Sequence, residues 1–202
     1  MSVDRKNKNP SMRSWMKTLE DAGQLSRVQA EVDWDQEIGA IARVNISQKG
    51  PGLLFENIKD YQQTRSTRLM TCGLSNNQQV ALMLGLPSDT SSKEMIKHLK
   101  EKYKTPVAPQ LAETGPVKEN ILTGDDINLY DFPAPKWHHM DGGQYIDTFA
   151  AVVTKDPESD RPNVGIYRGM ILGKNKIGKL LLKTQGWGDH GFCGLVVPYV
   201  GH

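Results

Sequence analysis

The apolar residues of this chain change their spacing across a proline-rich segment, and this change constrains the fold more than any other feature. Before the segment, short apolar runs alternate with stretches of helical spacing; after it, the runs are β-rich and separated by turn residues. The segment itself, within residues 105–120, holds three of the eleven prolines and has no periodicity. This composition is typical of a linker. Two structural units are therefore expected.

The part before the segment is predicted to be an α/β domain covering residues 11–105, after a polar tail at residues 1–10. Its first helix is expected to begin at an N-cap, Ser11, and to end at Gly23. Trp15, Met16 and Leu19 fall on one face of this helix. That face is predicted to pack into the core.

Strands and helices alternate through the rest of this domain. Short apolar runs predict strands at QLSRVQAEV, GLLFENI and RLMTCGL. Between and after them, Asp33 or Asp35 is the expected cap of a second helix, Ser75 of a third that ends at Pro87, and Thr90 of a fourth.

After the predicted linker, residues 106–120, the chain is expected to form a partial sheet-based domain over residues 121–202. DTFAAVVTKD is one predicted strand. Residues 161–187 are interpreted as two strands, NVGIYRGMILG and GKLLLKTQG, joined by a turn at GKNKIG. Three or four strands without a covering partner make a poor independent core. A missing part of this domain is therefore expected.

Composition and charge exclude several classes of function. Charged residues make up 24% of the 202 residues and the formal net charge is +2, which gives no electrostatic footprint for nucleic acid. No apolar run approaches the ~20 residues that span a bilayer, and the N-terminus is polar, so a cytoplasmic protein is expected. Cys72 and Cys193 have no CxxC spacing or paired His, so reduced thiols are predicted.

The segment PAPKWHHMDGGQYIDT, residues 133–148, is rich in the residues of loops that carry sites. His138 and His139 are of a type that binds metals, but neighbouring residues on an extended chain point in opposite directions. A polar turn is therefore the favoured interpretation. Gly142 and Gly143 fit either a tight turn or a close approach of the backbone to a ligand.

NVGIYRGMI is predicted to be a single strand, which places Arg168 on a face with apolar neighbours. A buried guanidinium requires an anion, because an unpaired buried charge is costly. The anion is either a carboxylate at the edge of the sheet or that of a ligand. Asn163, which follows Pro162, equally fits a simple turn.

Three of these motifs occur together in an order and spacing that resemble the UbiD family of carboxy-lyases. They are PAPKWHHMDGGQYI, VVTKDPE and NVGIYRGMILGKNKIG. The N-terminal half is similar as well, and the resemblance extends to about Trp187. It implies an α/β N-terminal domain followed by the first strands of a split β-barrel that binds prenylated FMN. The implied activity is the reversible decarboxylation of aromatic or α,β-unsaturated acids. Within the family, the chain most resembles the decarboxylases that act on hydroxylated benzoates.

The resemblance also implies roles for individual residues. Asn163 would be a ligand of a divalent ion, usually Mn²⁺, that bridges to the cofactor phosphate, with K⁺ as a further ion; an amide oxygen suits such hard cations. Arg168 would lie beside the flavin and hold the substrate carboxylate together with two glutamates. Ile166, Tyr167 and Gln185 would contact the cofactor.

Two departures from the family pattern bear on function. The family has a metal-binding His after the Gln, whereas this chain has Gly186, and His190 replaces it only if the backbone turns there. Family members are also more than twice as long. The absent part carries a glutamate ligand of the metal, both catalytic glutamates and an assembly domain.

Three functions are compatible with this pattern. One is the N-terminal portion of a carboxy-lyase that works as a homo-oligomer or is completed by a second polypeptide. Another is a non-catalytic paralogue or small subunit that packs on a full-length partner. The third is a plain flavin-binding module. The intact Asn163 and Arg168 favour the first, and Gly186 favours the second.

Overall fold

The computed structural model describes residues 11–108, 113–156, 158–159, 161–180 and 182. They form two compact units. The first comprises the described residues within Met1–Asp33, Glu37–Gln63 and Thr67–Gln110, and the second comprises those within Trp34–Gln36, Thr64–Ser66 and Leu111–His202. The boundaries predicted from the sequence remain predictions. No helix in the described part of the chain is long and apolar enough to cross a membrane.

The first unit alternates helices and strands, as the sequence predicts. Its elements are α1 (Met12–Asp21), β1 (Leu25–Val28), α2 (Glu37–Ser47), β2 (Gly52–Phe55), β3 (Leu69–Thr71), α3 (Asn77–Met83) and α4 (Ser92–Tyr103). The sheet order is β1-β2-β3, with β1 parallel and β3 antiparallel to β2. All four residues of the central strand β2 are buried, which explains its uninterrupted apolar sequence.

The core of the first unit contains the predicted face of α1. Trp15 and Leu19 are buried there, whereas Met16 is half-buried. Ser11 caps the helix, as predicted, through a capping box with Ser14. Gly23 has a φ of +66°, the left-handed conformation that ends many helices.

The starts of two helices differ from the prediction by one residue. The N-cap of α3 is Asn76 rather than Ser75, because the Asn76 side chain accepts from the N–H of Gln79 at 3.0 Å. The N-cap of α4 is Ser91 rather than Thr90, whose hydroxyl donates to the carbonyl of Pro87. Each start lies in a run of at least three consecutive cap-type residues that give the same sequence signal, and only the backbone conformation selects one of them.

The second unit is built from short antiparallel strands preceded by three 3₁₀ turns. Its strands are β4 (Tyr145–Asp147), β5 (Ala151–Lys155), β6 (Pro162–Ile166), β7 (Gly169–Gly173) and β8 (Lys176–Lys179). One sheet has the order β4-β7-β8, and β5 and β6 form a separate two-stranded sheet. The turns span Pro116–Lys118, Gly124–Asp126 and Leu129–Asp131.

The prediction of one continuous strand over NVGIYRGMI is wrong. The strand is interrupted at Tyr167 and Arg168, so that β6 pairs with β5 while β7 pairs with β4 and β8. The turn of the following hairpin is also shorter than predicted, and β8 begins at Lys176 and ends at Lys179. Residues 161–180 therefore contain three strands. The prediction failed because the same alternation of residues continues from β6 into β7, although these two strands belong to different sheets.

Candidate functional site

Tyr167 and Arg168 connect the two sheets of the second unit. The chain leaves the β5–β6 sheet after Ile166 and enters the β4-β7-β8 sheet at Gly169. A short irregular connection between strands is a place where a side chain can be directed away from both sheet faces. Three of the residues predicted to bind cofactor or substrate, Ile166, Tyr167 and Arg168, lie at or next to this connection.

Arg168 is exposed, so the expectation that it lies buried among apolar neighbours is wrong. Its guanidinium carbon lies 5.7 Å from the centroid of the Tyr145 ring, within the range of a cation–π contact. Within the described residues it has no carboxylate partner. The structural alternative, an ion pair between Arg168 and a carboxylate at the sheet edge, is therefore not formed in this part of the chain.

Asn163 lies opposite Thr154 in the β5–β6 sheet. Its Nδ2 donates to the hydroxyl of Thr154, with the two atoms 3.4 Å apart. Thr154 is buried and Asn163 is half-buried. This bond orients the amide and leaves its oxygen without a donor among the described residues. The oxygen is thus available as a ligand for a hard cation.

Ile166 and Tyr167 have different environments. The Ile166 side chain is 59% exposed and lies on the opposite face of β6 from Asn163, because their positions differ by an odd number. The ring of Tyr167 folds back over Gly165, where a Cβ would overlap it. The two predicted cofactor contacts therefore present an apolar side chain and a half-buried aromatic ring on either side of the strand end.

Asp147 and Lys179 form an ion pair that the sequence analysis did not identify. Each side chain is only 10% exposed, and the Lys179 ammonium also donates to the carbonyl of Tyr167 at 3.3 Å. The pair lies over Gly169, where a Cβ would be 2.7 Å from Asp147 Oδ2. No sequence pattern signals it, because the partners are brought together only by the register of three strands.

The loop that contains His138 and His139 forms the polar turn favoured by the sequence. Both residues are exposed, and the N–H of His138 donates to the Asp141 carboxylate at 3.0 Å. Over the part of the chain that the structure describes, no three His, Cys, Asp or Glu residues are grouped to hold a metal. Gly142 permits a close approach, since a Cβ there would lie 3.1 Å from the Met170 sulfur.

The described residues do not complete a metal site. Asn163 offers one oxygen, and a divalent ion needs several ligands. The other predicted contacts with cofactor and metal lie outside the described residues, since they involve Gln185, Gly186 and His190. Cys193 also lies outside them. Cys72 is a free, half-buried thiol.

The two halves of the chain match two models of one family. Residues 16–99 match the 3-octaprenyl-4-hydroxybenzoate carboxy-lyase N-terminal domain. Residues 110–191 match the 3-octaprenyl-4-hydroxybenzoate carboxy-lyase Rift-related domain. These matches confirm the family that the sequence motifs indicated.

Curated relatives are decarboxylases that are much longer than this chain. The phenolic acid decarboxylase of Bacillus subtilis is 37% identical over 174 residues, which are 82% of this chain and 36% of the relative. The ferulic acid decarboxylase 1 of Saccharomyces cerevisiae is 31% identical over 188 residues, which are 88% and 37% of the two chains. The chain thus spans less than two fifths of the length of these relatives.

Solved structures show the same partial match. The closed form of vanillic acid decarboxylase from Sedimentibacter hydroxybenzoicus has a TM-score of 0.82 at 33% identity, over 90% of this chain and 39% of that chain. The enzyme HmfF from Pelotomaculum thermopropionicum, in complex with FMN, has a TM-score of 0.74 at 31% identity, over 89% and 38%. The predicted fold, an α/β N-terminal domain followed by the first strands of the next domain, is confirmed.

Proposed function

The chain belongs to the UbiD family of carboxy-lyases, and we propose that it supplies cofactor-binding and carboxylate-binding residues to a prenyl-FMN-dependent decarboxylase. The substrate class is an aromatic or α,β-unsaturated carboxylic acid, and the reaction is reversible. A cytoplasmic location and assembly into an oligomer are part of this proposal.

The observation that carries the proposal is the environment of the Arg168 guanidinium. Its guanidinium is exposed, rests on the Tyr145 ring and has no carboxylate partner among the described residues. A planar guanidinium binds a carboxylate through two parallel hydrogen bonds. Arg168 can therefore hold the substrate carboxylate and orient it for loss of carbon dioxide.

The other predicted residues have supporting roles. When bound, prenylated FMN supplies an electron sink for the carbanion that is left by decarboxylation. Ile166, Tyr167, Arg168 and Gln185 would contact it. Asn163, oriented by Thr154, would contribute one oxygen to a Mn²⁺ ion, with K⁺ as a further ion. The described residues do not complete a metal site, so no step of the reaction is assigned to the metal.

Activity is proposed to require the remainder of the family sequence, on the same or on a second polypeptide. The catalytic glutamates implied by the resemblance belong to that remainder. One structure of the Sedimentibacter hydroxybenzoicus vanillic acid decarboxylase contains a truncated form of a second polypeptide, ShVdcD. The proposal therefore includes a partner polypeptide in the complete enzyme.

The second candidate is a non-catalytic paralogue that packs on a full-length carboxy-lyase. It is favoured by Gly186, which has no side chain to coordinate a metal. The two candidates differ in whether Arg168 acts on a substrate, and the third, a plain flavin-binding module, would bind ordinary FMN without carboxy-lyase chemistry.

The test is to co-express the 202-residue chain with the C-terminal portion of the Bacillus subtilis relative in cells that make prenylated FMN. We expect the flavin absorbance of the bound cofactor and decarboxylation of hydroxybenzoates by the complex, and no decarboxylation by the chain alone. A complex that binds prenylated FMN but does not decarboxylate would support the non-catalytic paralogue. Bound ordinary FMN would support the flavin-binding module.

A further inference from the structure

We propose that Asp147 and Lys179 are a positioning pair that fixes the Tyr167–Arg168 connection and so sets where the Arg168 guanidinium meets a carboxylate. The inference rests on the proposed function of Arg168. The pair itself does not touch the substrate.

The Asp147 and Lys179 side chains can meet because the residue between them on the central strand is a glycine. Asp147 is paired with Gly169 across β4 and β7, and Gly169 with Lys179 across β7 and β8. Neighbouring strands are ~4.8 Å apart, so the two outer residues are separated by about twice that distance at the backbone. Their side chains meet over the central strand because Gly169 has no Cβ, which would lie 2.7 Å from Asp147 Oδ2 and 2.9 Å from Lys179 Cε.

The pair also holds the residue before Arg168. The Lys179 ammonium donates to the Tyr167 carbonyl at 3.3 Å in addition to the Asp147 carboxylate. On the other side of Arg168, Gly169 is fixed by strand pairing with both Asp147 and Lys179. Both backbone neighbours of Arg168 are thereby tied to the same two residues, Tyr167 through the Lys179 side chain and Gly169 through backbone pairing. The Arg168 side chain itself remains exposed.

Stability alone gives a weak reason for a buried pair. Desolvation of two charges offsets much of their attraction, and neutral replacements of both members are often tolerated, whereas removal of one member leaves a buried charge unpaired. The pair therefore acts locally, by selecting one conformation for the two-residue connection between the sheets. A displaced Arg168 would bind the substrate carboxylate in the wrong orientation.

The experiment uses the ¹⁵N-labelled 202-residue chain without cofactor or substrate. The Nε–Hε signal of Arg168, assigned by its loss in Arg168→Lys, reports contact with the Tyr145 ring through the ring current. The variant Asp147→Asn/Lys179→Gln replaces the ion pair by neutral amides, and Lys179→Met removes the donor to the Tyr167 carbonyl. The matched control is Lys17→Gln/Asp21→Asn, which neutralises an exposed pair on α1.

We expect the Arg168 signal to move toward its random-coil position in both test variants and to stay in place in the control. In the completed enzyme, the double variant should keep its flavin absorbance and lose about 10- to 100-fold in kcat, because a small misplacement of a reacting group has effects of that size. An inactive wild-type complex would contradict the proposed function alone, since the NMR result does not depend on turnover.

Two results would overturn the inference. One is a wild-type Arg168 signal in a folded double variant, which would show that the pair does not control the connection. The other is global unfolding of the double variant, which would show that the pair stabilises the whole sheet rather than positions one residue.

Discussion

The guanidinium of Arg168 rests against the ring of Tyr145, with 5.7 Å between its central carbon and the ring centroid. At an exposed position such a contact is worth about 0.5–1 kcal/mol. The N–H groups of the guanidinium bond to no carboxylate among the described residues. They can therefore bind the carboxylate of a ligand.

Arg168→Lys is expected to preserve the fold and to abolish most of the activity of the completed enzyme. Lys keeps the charge but lacks the planar fork that binds a carboxylate at two points. The loss of a group that orients the reacting carboxylate lowers kcat by about 10²-fold. Melting temperature and decarboxylation rate are measured on the same preparations.

The control for this substitution is Arg13→Lys, which alters an exposed arginine of α1. It should change neither quantity. If Arg168→Lys melted several degrees lower and turned over normally, Arg168 would be a structural residue of the connection.

Tyr145 offers a test of what holds the guanidinium. Tyr145→Phe keeps the aromatic face and should leave turnover near the wild-type rate. Tyr145→Leu removes the face, so Arg168 samples more rotamers and kcat should fall by about 5-fold, the equivalent of the ~1 kcal/mol contact. Equal rates for the two variants would show that the ring does not orient Arg168.

Gly169→Ala is expected to destabilise the second unit by about 1–3 kcal/mol, the usual effect of inserting atoms where there is no room. The new Cβ would lie 2.6 Å from Ile177 Cγ2 and 2.7 Å from Asp147 Oδ2. Urea unfolding measures the change. The matched control is Gly173→Ala in the same strand, where the nearest atom is 3.9 Å away; it should change the free energy of unfolding by less than ~0.5 kcal/mol.

The start of α4 should make stability depend on pH. The hydroxyl and the N–H of Ser91 donate to the Glu94 carboxylate and lower its pKa from the usual 4.5. A lowered pKa in the folded state means that this stabilisation is present above pH 4.5 and is lost as the pH falls through the folded value. Ser91→Ala should therefore flatten the pH dependence of the melting temperature below that point.

The control for the pH experiment is Ser47→Ala, because the Ser47 hydroxyl donates to a backbone carbonyl and not to a carboxylate. Its pH profile should run parallel to that of the wild type. An unchanged slope in Ser91→Ala would mean that Glu94 does not contribute to the acid sensitivity of the chain.

Local patterns predicted the first unit well because its elements are stabilised by nearby residues. The spacing of Trp15 and Leu19 identified the buried face of α1, and Ser11 identified its start. The errors at Ser75 and Thr90 are of one residue, where adjacent residues of the same type compete for one cap. The short apolar run that contains β2 likewise indicated a strand, and the structure shows that this strand is buried.

The sequence by itself determined the family, the order of the elements in the first unit and the candidate residues Asn163 and Arg168, because these depend on motifs and on spacing along the chain. The tertiary structure decided that NVGIYRGMI is two strands, that Arg168 is exposed against Tyr145, and that Asp147 meets Lys179 over Gly169. The physical reason is that cross-strand neighbours are set by register and by the choice of partner strand. Asp147 and Lys179 are 32 positions apart, and no pattern in the sequence indicates that they will be in contact.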